Sequence, residues 1–96
     1  MESPKLSDCL SLFLYQLSRG DKLTRAQLRE IMWREFGAES GEEQTEMNRL
    51  VGLCDTYLVG AKLVSKITMP KNSLEDEFQI TPQGIRVAHL YPYPQE

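Results

Sequence analysis

Residues 50–85, LVGLCDTYLVGAKLVSKITMPKNSLEDEFQITPQGI, narrow the possible folds more than any other part of the chain. Apolar residues first recur at helical spacing, then alternate over residues 63–69. Pro70-Lys71-Asn72-Ser73 supplies turn chemistry, and Glu77-Phe78-Gln79-Ile80-Thr81 alternates again. Thr81-Pro82-Gln83-Gly84 then opens a new helix, with threonine as cap and proline in the first helical position. A helix, a β-hairpin and a second helix in direct succession predict a mostly helical α+β domain with a small hairpin.

The rest of the chain supplies more helices. Residues 5–18 form the first, after a Ser3-Pro4 start, with Leu6, Leu10, Phe13, Leu14 and Leu17 on one face. Leu12 and Tyr15 fall on the opposite side. A helix apolar on two sides is either central in the fold or half of a dimer interface. Arg19-Gly20-Asp21-Lys22 ends it, and Thr24 caps a second helix over residues 25–36. Leu28, Ile31, Met32 and Phe36 make the buried stripe of that helix. Trp33 projects elsewhere, four residues from Arg29, so the guanidinium can lie over the indole unless another part of the chain covers it. Residues 37–43 read as an acidic, glycine-punctuated loop. A third helix then runs from about Gln44 to Val59. Leu50, Val51, Leu53, Cys54, Tyr57 and Leu58 form its core face with Met47 at the edge, and Asn48, Gly52, Asp55, Thr56 and Val59 point outward. Gly60 ends it. In the hairpin, Leu63, Ser65, Ile67 and Met69 share one face and Val64 and Lys66 the other, while Phe78 and Ile80 face the core. Residues 91–96, rich in proline, form an extended tail.

Size allows one domain, residues 1–96, because two halves would each be too small to bury a core. The net charge is −3, from 11 Lys+Arg against 14 Asp+Glu. Duplex DNA is a possible partner that this balance disfavours, since phosphate binding calls for a basic stripe. No apolar run is long enough for a bilayer, and MESPKLSDCL lacks the features of a secretory signal. Cys9 and Cys54 have no CxxC or Cys/His spacing, so they are expected as buried free thiols in a reducing cytoplasm, with no metal held.

The run DTYLVGAKLVSKITMPKNSLEDEFQITPQGIRVA resembles the winged helix-turn-helix family, over roughly residues 6–90. In that family an apolar helix leads to Gly-Leu-Val, a strand, a polar loop and Leu-Thr-Pro-x-Gly. Here Ala61-Lys62-Leu63-Val64 stands at the first site and Ile80-Thr81-Pro82-Gln83-Gly84 at the second. The family's glycine before Leu-Val is Lys62 in this chain. The resemblance implies three helices, a two-stranded wing and a C-terminal helix. A fainter likeness of residues 17–24 to the first loop of small EF-hand proteins fails, because no D-x-[DN]-x-[DN]-G run ending in glutamate follows.

The family's third helix lies in the major groove, which makes Thr45, Asn48, Arg49 and Thr56 the matching contact residues. Arg25 and Arg29 stand in the most basic region, 19–34, and could ride the phosphate backbone. Lys71 is the one cation of the wing. Glu42, Glu43 and Glu46 oppose such binding, as do Glu75, Asp76 and Glu77. The resemblance thus implies a DNA-binding transcriptional regulator, and the two-sided first helix with the tail makes a homodimer the expected form. The charge layout implies instead a protein-interaction adaptor that does not bind DNA. For that reading Leu12, Tyr15, Arg29, Trp33, Tyr91 and Tyr93 are the candidate interface. Nothing predicts an enzyme or a cofactor: His89 has no expected partner, the serines have no base at a useful spacing, and no phosphate loop is present.

Overall fold

Three hydroxyl side chains set where helices begin. A computed structural model describes residues 4–20 and 22–93. In it Thr24, Ser40 and Thr81 stand in extended backbone, and each accepts a hydrogen bond from an N–H of the turn that follows. Thr24 with Gln27, and Ser40 with Glu43, close complete capping boxes. The elements are α1 (Leu6–Ser18), β1 (Leu23–Thr24), α2 (Arg25–Phe36), α3 (Gly41–Gly60), β2 (Val64–Ile67), a short 3-10 turn (Ser73–Glu75), β3 (Glu77–Ile80) and α4 (Pro82–Leu90). Thr24 and Thr81 hold the cap positions expected of them. Ser40, expected in a loop, instead starts α3 at Gly41, ahead of Gln44. Ser3, Asp21 and residues 94–96 of the expected tail lie outside the described residues.

The sheet has three antiparallel strands in the order β1-β3-β2, one more than the two-stranded hairpin expected. Leu23 and Thr24 pair with Phe78 and Glu77 of β3. A two-residue strand carries no periodicity, so no sequence pattern reports it. β2 pairs with β3 from Val64 opposite Ile80 to Ile67 opposite Glu77. Val64 and Phe78 are buried on the inner side, which Lys66 shares through the pleat, whereas Ile67 is exposed.

α1 is central, packed against α2, α3, β3 and α4. Cys9, Leu12, Phe13, Leu14 and Leu17 are all buried, and Phe13 meets Phe78 edge to face at 5.6 Å. This corrects Leu12, which is 1% exposed and belongs to the core rather than to an outward stripe. Two residues of α3 trade places with expectation as well. Tyr57 is 58% exposed, and Asp55 is buried. Cys9 and Cys54 are free and buried, and burial pushes their thiols up to about 11 and about 12.

Two backbone positions carry the junction between α3, β2 and α4. Lys62 has φ +64°, a left-handed conformation, at the place where the resembling family has glycine. Gly84 has no room for a side chain: a Cβ there would collide with the Leu63 carbonyl oxygen and with Ile80. The architecture is therefore a mostly helical α+β arrangement around a small antiparallel sheet. Among the described residues no helix is long and apolar enough to cross a membrane.

Candidate interaction surfaces

Arg25, the first residue of α2, turns inward rather than toward solvent. Its Nη2 donates to Asp55 Oδ2 at 2.7 Å and to Asp76 Oδ2 at 3.1 Å, and its Nε donates to the Ser73 carbonyl at 3.2 Å. Lys66 adds a second cation to Asp55 at 3.3 Å. Asp76 is tied further, accepting from the Met69 N–H through its carboxylate and from the Arg25 N–H through its carbonyl. The guanidinium also lies over the Phe78 ring, 5.2 Å from its centroid. Burial alone would lower the Arg25 pKa, but the two carboxylates outweigh it and raise it. The Met69 hydrogen bond, then Arg25, hold the Asp76 carboxyl below its ordinary value despite burial. This network joins α2, α3 and the hairpin. It removes Arg25, expected as a phosphate contact, from the accessible surface: the residue is 8% exposed.

The other expected nucleic-acid contacts divide. Thr45 and Thr56 are exposed on α3, each hydroxyl donating back to the carbonyl four residues earlier, Gly41 and Gly52. Arg49 is exposed and paired with Glu46 at 2.6 Å. Asn48 is half-buried and accepts the Trp33 indole N–H at 3.0 Å, which also points at the Gln44 carbonyl. Trp33 is thus covered by α3, as the second of the two sequence readings had it, and is not a free anchor. The guanidinium–ring contacts among the described residues are Arg19 over Tyr15 and Arg25 over Phe78, not Arg29 over Trp33. Arg29 is half-buried, with its Nε enclosed and unbonded, and burial then Arg25 lower its pKa. Lys71 is exposed in the hairpin.

A second surface lies between α1 and α4. Here a groove of about 340 Å³ is lined by Tyr15, Ile85, His89, Tyr91 and Tyr93, with Ser11 and Ser18 on the α1 wall. Tyr93 folds back so that its ring stacks on Tyr15, with centroids 6.1 Å apart, and its hydroxyl donates to Glu35 Oε1 at 3.0 Å. Burial, then Glu35, and more weakly the charge of Asp8, push the Tyr93 phenol up to about 12. Ile85, Leu90 and Tyr91 remain exposed by 41%, 72% and 70%. Tyr15, Tyr91 and Tyr93 from the expected interface therefore come together at one place, while Leu12, Arg29 and Trp33 do not join them. Ile85 and His89 were not among the expected interface residues, although their i, i+4 spacing on α4 already placed them on one stripe.

Among the described residues no group of three or more His, Cys, Asp or Glu side chains is placed to hold a metal ion. No family model, no curated protein and no solved structure matches the chain.

Proposed function

We propose that this chain is a cytoplasmic winged-helix module that works by binding protein, with the α1–α4 groove as its contact face. The order α1-β1-α2-α3-β2-β3-α4, with the β2–β3 hairpin joined to α2 and α3, supports the winged-helix reading. The observation that carries the functional reading is the contrast in what each surface leaves exposed. Toward α3 the cations are already paired with carboxylates, Arg25 inside the fold and Lys66 at its edge with Asp55, and Arg49 in water with Glu46. At the groove, large apolar and aromatic side chains stand in water, which is how interface anchors look before a partner arrives.

A photo-crosslinking side chain placed at position 91, and separately at 45, tests the assignment in cells. A discrete protein adduct from position 91 and none from 45 is expected. Adducts from 45 alone overturn it.

Thr45, Arg49 and Thr56, exposed along α3 with Lys71 in the hairpin, favour a second reading as a DNA-binding regulator. Anisotropy of a labelled random duplex at low and then moderate salt separates the two. Binding that falls steeply with salt would establish a phosphate-contacting face. A flat titration at low salt removes DNA as the ligand.

A further inference from the structure

The exposed stripe of α1 changes sign along its length. Asp8 and Arg19 are eleven residues apart, a separation close to three helical turns, so both lie on one side of α1 about 16 Å apart. Ser11 and Tyr15 sit between them on that side and form the α1 wall of the groove. Tyr93, which feels the field of Asp8, is held by the carboxylate of Glu35 on α2, and Lys5 is exposed one turn before Asp8. The Arg19 end is positive. Arg19 lies over Tyr15 at 6.0 Å, Ser18 and Ile85 line the same groove, and Arg86 is exposed beside Ile85. From Thr81 to Tyr93 the α4 wall contains no carboxylate to cancel that charge.

A surface that reads acid, small, aromatic, base is complementary to itself when turned by 180°. A two-fold axis passing between Ser11 and Tyr15 sets two copies of α1 antiparallel, with Asp8 of each facing Arg19 of the other. Placed in parallel, the same surfaces would oppose like charges. We propose that the occupant of the α1–α4 groove is a second copy of this chain, bound as an isologous dimer in that antiparallel register. The inference rests on the reading of the groove as a protein-contact face, and names the partner. The exposed Ile85, Leu90 and Tyr91 supply apolar area to bury, and the charged ends set orientation more than strength.

Light scattering over a concentration series, with charge-swapped variants, tests it. The wild type should move from the 11.0 kDa monomer to twice that mass as concentration rises. Asp8→Arg and Arg19→Asp should each weaken the dimer by about tenfold or more, and the double variant should recover most of that loss. Leu90→Asp, at a position 72% exposed, should leave the circular dichroism spectrum unchanged and abolish the dimer. A monomer at every concentration up to about 0.5 mM, far weaker than a working dimer, overturns the proposal. So does a double variant no better than the singles, which would break the antiparallel register. A monomer that still gives a heterologous adduct from position 91 would leave the groove as a protein-contact face and remove only the second copy from it.

Discussion

The junction of α2, α3 and the hairpin and the groove between α1 and α4 handle charge in opposite ways. At the junction the charges are buried and matched: Arg25 is enclosed between Asp55 and Asp76, with the Phe78 ring beneath it. At the groove no carboxylate lines the walls, Arg19 lies over the Tyr15 ring, and the lining is largely aromatic and apolar with two serines and His89. The first arrangement fixes elements of one chain relative to each other, since a buried ion pair requires its partners in place. The second leaves unsatisfied apolar surface, which a folded monomer gains nothing by exposing. A cation count along the sequence points to the first region as the binding surface. Accessibility points to the second.

Breaking the junction should produce the largest effect. Asp55→Ala leaves Arg25 and Lys66 without a shared carboxylate and should cost about 3 kcal/mol of unfolding free energy in urea titration. Association through the groove should stay as it was once folded protein is compared with folded protein. If the same substitution abolished self-association and left stability unchanged, the two regions would have the reverse roles.

Acid gives a gentler version of the same break. The Asp76 carboxyl is held below its ordinary value, so its contribution is whole above the unfolded pKa of about 3.9 and is lost as pH falls through the lowered folded value. Asp76→Asn should lose less stability than the wild type between pH 5 and pH 2, by roughly the amount this single linkage supplies. Parallel acid-unfolding curves for the two proteins would show that other carboxylates govern the transition.

How much of this was readable beforehand follows from the range of each interaction. Caps are local, so Thr24 and Thr81 were legible from neighbouring residues, and the i, i+4 and i, i+2 patterns placed the helices and the hairpin. The Arg25 network was not legible, because Asp55 and Asp76 lie 30 and 51 residues away. Asp55 sits at a position whose periodicity marks solvent, and only tertiary contact makes it a core residue. Leu12 failed for the same reason: an apolar second stripe looks like an interface until the elements packed around α1 enclose it. At the groove, the tyrosines were legible as a set, and their meeting place was not.

Lys62 lies between the two regions, where α3 hands over to β2 and the Thr81 hydroxyl donates to the Lys62 carbonyl. Its φ of +64° is unfavourable for a residue with a Cβ and costs nothing for glycine. Lys62→Gly should therefore raise stability by about 1 kcal/mol, part of it offset by the greater freedom of glycine in the unfolded chain. Thermal unfolding with unchanged self-association would show that the junction and the groove are connected by geometry alone. A loss of stability would mean that the lysine side chain makes a compensating contact.

The smallest change on stability is the one that sharpens the comparison most. Arg49→Ala removes an exposed i, i+3 pair with Glu46 on the outward side of α3. Both partners sit in water, where their attraction is screened and opposed by side-chain entropy, so the melting midpoint should not move measurably. Nor should the dimer respond, because Arg49 lies on α3, away from the groove. The variant therefore isolates the α3 face from everything that holds the fold together. Duplex binding by the wild type that weakens on Arg49→Ala at constant stability would make α3 a recognition element and return DNA to the account. No change in stability, association or duplex titration would place Arg49 outside all three, and the α1–α4 groove would stand as the proposed contact surface.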